Sequence, residues 1–166
     1  MKLAIIFAAA ALTPVVATAA PMSAKTYVGK AGAADLFETE SSKLVQDSKD
    51  PKITAYAQMM IGDHAKSTAD VVAAAKADGL TPGEPMLAPN QKAMITSLKA
   101  TTGKRRDALY KKDQVAAHKA TLAFQKEYAT SGTKPNLKAT AGKIVPVVEQ
   151  HLSMANEMTA MAGTAK

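Results

Sequence analysis

The chain of 166 residues contains no cysteine and no tryptophan, and its aromatic side chains amount to only 4% of the total. Without cysteine there can be no disulfide, no thiolate nucleophile, no lipid-bearing cysteine and no sulfur-rich zinc cluster. Any core must therefore be held together by burial alone. Long apolar runs are missing too. The longest, Leu3 to Leu12, is about half of the ~20 residues with which a helix spans a bilayer, so no transmembrane span is expected. Also absent are a Gly-rich phosphate loop, a Gly-x-Ser-x-Gly elbow and a His-Glu-x-x-His pair, and with them the commoner routes to catalysis. The sequence assigns no reaction and no catalytic residue.

What is present begins with an address. Met1 and Lys2 open with positive charge, an Ala-rich apolar run follows, and Ala17-Thr18-Ala19 supplies small residues for a peptidase. This is the pattern of a secretory signal peptide. Cleavage after Ala19 is favoured over Ala20, because the latter would leave Pro21 immediately after the cut. The chain thus divides into a signal peptide over 1–19 and one domain over 20–166, which is expected in the periplasm or elsewhere in the cell envelope. The formal net charge is +7, with small basic clusters at Lys104-Arg105-Arg106 and Lys111-Lys112. Spread out in this way, the charge reads as solvated helix surface, and export argues further against a nucleic-acid partner. An envelope partner or a second copy of the chain stays open.

Alanine is abundant, while glycine and proline gather at a few breaks, as they do between long helices. Four long segments and one short one follow. The first runs from Ser23 or Thr26 to Lys49, where Asp50-Pro51 closes it and starts the second, because the residue before proline disfavours helical geometry and proline suits a first helical turn. The second ends near Asp78, with Gly79 as its cap. Gly79 to Pro85 is too rich in proline and glycine for a helix, and a short helix from Pro89 to Ala100 follows. The third long segment covers Lys104 to Thr130 and the fourth Asn136 to Ala162, with a kink expected at Pro146. Ile53, Tyr56, Ala57, Met60, Ile61, His64, Val71, Val72 and Ala75 recur at steps of three and four, the broad stripe of a bundle helix. The fold expected is all-α: an up-down four-helix bundle with a short extra helix in the long connection between the second and third helices.

The chain's 3 histidines are His64, His118 and His151, one on each of the last three long segments and each on an apolar stripe. The first segment contributes Glu38, with Asp35 one turn earlier as the alternative carboxylate. Counted from the expected helix starts, Glu38, His64, His118 and His151 lie about 12, 13, 14 and 15 residues in, so at about 1.5 Å per residue their heights differ by roughly 5 Å. One polar side chain from each of four helices, meeting at one depth, is how metal sites in bundles are built. The expectation is a mononuclear site for a transition metal such as zinc, copper, iron or nickel. A di-iron site is disfavoured, since the residues three before the histidines are Ile61, Val115 and Val148 rather than glutamate. The alternative is structural: His64, His118 and His151 hydrogen-bond to Glu38, Gln114 and one another as a polar layer that sets helix register. Asp63 and Glu149 are expected to face solvent or to support the histidines from outside. His151, Met154, Met158 and Met161 also follow at helical spacing, with Met59, Met60 and Met94 elsewhere. Thioethers with imidazole could suit copper(I), but methionine is more simply a filler of helical cores. Tyr56 and Tyr110 read as bundle-core tyrosines with a polar end.

Several of these residues form an ordered set: Tyr27-Val28, Glu38-x-Glu40, Asp50-Pro51, Tyr56-Ala57-Gln58-x-Met60-x-x-Asp63-His64, Tyr110, Gln114-Val115-x-x-His118 and Pro146-x-x-x-x-His151-Leu152. In this the chain resembles the ferritin-like family called domain of unknown function 4142, over nearly all of the segment that follows the signal peptide. The resemblance implies an exported ferritin-like bundle without an established activity. Members are often labelled outer-membrane proteins, yet helices of this composition offer no transmembrane barrel. One departure from the family pattern is Arg106, where an aromatic residue before Asp107 is typical; it bears on packing at the start of the third long helix.

Overall fold

The computed structural model describes residues 20–160. The expected signal peptide over 1–19, its expected cleavage site and Met161 lie outside the described residues. Helices α1 (Ala24–Lys43), α2 (Pro51–Ala77), α3 (Pro89–Lys99), α4 (Gly103–Ser131) and α5 (Pro135–Ala160) make up the regular structure among the described residues. Their starts follow local chemistry. The Ser23 hydroxyl accepts from the Thr26 amide at 3.1 Å, the Asp50 carboxylate accepts from the Lys52 amide at 3.0 Å, and Pro51 and Pro89 occupy first-turn positions. Each satisfies, or removes the need to satisfy, a donor that helix geometry leaves without a partner. Pro146 lies inside α5 without ending it.

The first helix stops earlier than the sequence suggests, at Lys43 rather than Lys49. The reason is a partner distant in sequence. Arg106, on α4, donates to the Leu44 carbonyl, to the Asp47 carboxylate at 3.1 Å and to the Thr101 carbonyl at 2.7 Å. With the Leu44 carbonyl held in this way, the chain leaves the helix through short-range turns, Val45 is buried, and Ser48 donates to Asp107 at 2.9 Å. Arg106 thus caps the C-terminal end of α1.

In cross-section the long helices form a closed ring in which α1 touches α2 and α4, and α5 completes it against α2 and α4. Their directions can be read from the end contacts. Tyr27, at the start of α1, meets Gln125 and Tyr128 near the end of α4, while Arg106 near the start of α4 meets the end of α1. Asp78, just beyond α2, accepts from the Leu137 amide at 2.8 Å at the start of α5, and Tyr56 near the start of α2 donates to the His151 carbonyl. Neighbours in the ring are therefore antiparallel. The diagonal pair α2 and α4 runs parallel, so residues 78–102 must carry the chain back along the length of the bundle. A single crossover of this kind is the connectivity of ferritin-like folds. Helix α3 packs on α1 and α4 at the end of that connection.

The apolar interior is divided in two. One cluster, around Tyr27, Ala31, Val71, Ala75, Phe124, Tyr128 and Leu137, fills one end; the other, around Phe37, Ile53, Tyr56, Met60, Leu98, Tyr110 and Met158, fills the end that α3 covers. Met154, Met59 and Met94 pack against the second cluster, which fits their reading as core fillers. Between the two clusters lies a layer of buried polar side chains.

Candidate metal centre

That layer is assembled by helical spacing alone. On α2, His64 comes four residues after Met60 and seven before Val71; on α5, His151 comes three after Val148 and four before Ala155. Each therefore shares the inward stripe with core residues. His64, His118 and His151 are 4%, 1% and 2% exposed. Their ring centroids form a nearly equilateral triangle of 5.7, 5.4 and 5.5 Å. One ring nitrogen or another from each lies within 4.8 Å of the corresponding atoms of the other two. Their common depth in the bundle thus brings the three rings together in space.

Each ring has one occupied and one unoccupied nitrogen. His64 Nδ1 is 2.8 Å from Asp35 Oδ1, and Asp35 is steadied by the Thr68 hydroxyl, which donates to Oδ2 at 3.0 Å. His118 Nδ1 donates to the Gln114 carbonyl at 2.9 Å. His151 Nε2 is 2.9 Å from Asp63 Oδ2. The remaining atoms, His64 Nε2, His118 Nε2 and His151 Nδ1, are buried without a hydrogen-bond partner. A carboxylate or carbonyl on one nitrogen fixes the tautomer so that the other presents its lone pair, an arrangement typical of metal-binding histidine.

The carboxylates are distributed in a way that spacing did not indicate. Asp35 and Asp63 each sit on the outer nitrogen of a histidine, and Asp63 pairs across to α5 instead of serving its sequence neighbour His64. Glu149 faces outward and pairs with Lys126 at 2.7 Å. Glu38 is buried beside His118, with Oε1 3.5 Å from Nδ1, beyond ordinary hydrogen-bonding distance, and neither of its carboxylate oxygens has a hydrogen-bond partner. Burial pushes its carboxyl up to about 7, against the opposing pull of nearby His64. Around it, Tyr110 shares a 2.8 Å hydrogen bond with Ser42, and Gln114 donates to Ser41 at 3.1 Å.

The electrostatics separate the three imidazoles. Burial and the neighbouring His64 push His118 down to about 3, leaving it neutral at ordinary pH. Burial also lowers His151, with Asp63 opposing. For His64, burial acts downward, but the bond to Asp35 and the charges of Glu38 and Asp35 outweigh it and raise the group. An ion arriving at the trio would meet His118 as a neutral ring.

A groove of about 710 Å³ between α2 and α5 reaches this layer, with His64, His151 and Asp63 among its lining residues. Sequence reading could not find it, because it depends on how two helices splay rather than on which faces are apolar.

The comparisons agree with this architecture. The family model described as Domain of unknown function (DUF4142) matches residues 9–158. The chain belongs to that family. No curated protein matches it. Among solved structures it is similar to a DUF305 fragment from Deinococcus radiodurans, with 12% identity, a TM-score of 0.73 and coverage of 86% of this chain and 99% of that one. It is also similar to a DUF305 protein from Streptomyces coelicolor, described as a candidate secreted protein, with 18% identity, a TM-score of 0.71 and coverage of 85% and 93%. At such identities the likeness is one of fold. Among the described residues of this DUF4142 chain, no helix is long and apolar enough to cross a membrane.

Proposed function

We propose that this DUF4142 protein is exported to the cell envelope and holds one transition-metal ion between His64, His118 and His151. The observation that carries the reading is the trio of buried histidines whose ring nitrogens lie within 4.8 Å of one another, each ring with one nitrogen engaged and the other buried without a partner. Leaving a polar atom buried and unsatisfied costs about 1–3 kcal/mol, so three in one place are best explained by something that binds them together. With bonds of about 2.0–2.1 Å, an ion needs each ring to close in by roughly an ångström or less. Zinc, copper and iron all accept this donor set. Glu38 acts beside the site: burial holds its carboxyl up at about 7, and a bound cation would favour its ionised form. Asp35 and Asp63 orient His64 and His151. Export is supported by the pattern of residues 1–19 and by the secreted description of the Streptomyces relative.

The test is metal content and affinity of the mature chain, made without a histidine tag. Zinc, copper or iron near one equivalent is expected, and His118→Ala should abolish it. A protein that contains no metal, and whose melting does not respond to added zinc, copper or iron, would leave the histidines as a register-setting polar layer.

A further inference from the structure

The trio supplies three donors, and its surroundings are not symmetrical. Outer nitrogens of His64 and His151 are held by Asp35 and Asp63, and His118 is backed by the Gln114 carbonyl and Glu38. On the α2–α5 side His64 and His151 line the groove, together with Asp63, Lys66, Ser67, Asp70, Lys143 and Val147. Both histidines are more than nine-tenths buried and each keeps one partnerless nitrogen. The groove therefore leads from solvent to two of the three rings.

From this we infer that the centre has an open coordination position, and that a small ligand with a single donor atom reaches it along the α2–α5 groove and binds the ion directly. The inference rests on the metal reading above. Three protein donors leave a divalent cation at least one position, and a position not filled by protein is taken by water or an exogenous ligand. The groove's volume, about 710 Å³, admits a ligand with a short apolar body as well as simple ions. Ala73, Ala74 and Val148 give it apolar walls, and its charged lining residues are Lys66 and Lys143 with Asp63 and Asp70.

The test uses the mature chain loaded with cobalt(II), whose visible bands report its coordination, and azide as the probe. The expected result is a saturable spectral change at one azide per cobalt. Val147 is exposed and stands one turn before His151, so Val147→Trp should obstruct the groove without touching a metal-binding nitrogen. It is expected to weaken azide binding on the order of tenfold while leaving cobalt affinity unchanged. Ser67→Leu narrows the same groove from α2 and gives the same comparison should the tryptophan variant fail to fold. A cobalt protein whose bands azide does not move overturns the inference and leaves the metal reading standing. Azide binding of wild-type strength in a folded, groove-blocked variant overturns the groove as the route. If cobalt does not bind at all, both readings fall.

Discussion

Glu38 is the residue at which the fold holds a group against its solution preference. Burial among His64, His118, Tyr56 and Tyr110 keeps its carboxyl protonated up to about pH 7, above the ordinary value of 4.5. The folded chain thus holds a proton that the unfolded chain releases, and this contribution to stability is lost as pH rises from about 4.5 through about 7. His118, held down to about 3, works in the opposite sense: its contribution is lost as pH falls below 6.5 towards 3. In the metal-free protein, Glu38→Gln should therefore become progressively more stable than wild type between pH 5 and pH 7. Urea midpoints at the two pH values check this, and a pH-independent difference would mean that Glu38 is ionised throughout. Asp35 permits a second test at this scale. Asp35→Asn keeps the shape but weakens the acceptor on His64 Nδ1, and metal affinity measured by calorimetry should fall roughly 10–100-fold.

At the scale of elements, the bundle is tied at its ends by side chains from other helices. Arg106→Ala removes donors from the Leu44 and Thr101 carbonyls and from Asp47. It should cost about 1–3 kcal/mol by chemical denaturation and leave metal affinity alone, since Arg106 lies at an end of the bundle and not in the histidine layer. Gly132 closes α4 so tightly that an added Cβ would stand 2.5 Å from the Tyr128 carbonyl and 2.7 Å from its ring. Gly132→Ala should destabilise by about 1–3 kcal/mol through that overlap, again read as a shifted midpoint. These ties also explain how far the sequence could be read. Helix starts were legible at Pro51 and Pro89 because proline acts on its own neighbourhood. The end of α1 was not, because what ends it is a guanidinium 62 residues further on. The convergence of His64, His118 and His151 followed from counting residues into each helix, which depends only on rise per residue. The pairing of Asp63 with His151 did not, because Asp63 is next to His64 in sequence and only the rotation of α2 against α5 decides which histidine it meets.

For the molecule as a whole, the position of the histidine layer matters as much as its chemistry. It separates two apolar clusters and draws on three helices, so an ion bound there stabilises the entire bundle by mass action, about 2.7 kcal/mol at a hundredfold excess over its Kd. Calorimetric melting with and without zinc should show one transition moving upward, and two separating transitions would mean that the ends unfold independently. The parallel course of α2 and α4 adds a further consequence. Neither hairpin owns the centre: α1 with α2 supplies His64 alone, and α4 with α5 supplies His118 and His151. The complete trio comes into being only once the crossover has laid one hairpin against the other, so an ion held there would act as a rivet, and its capture would signal that the two halves have docked.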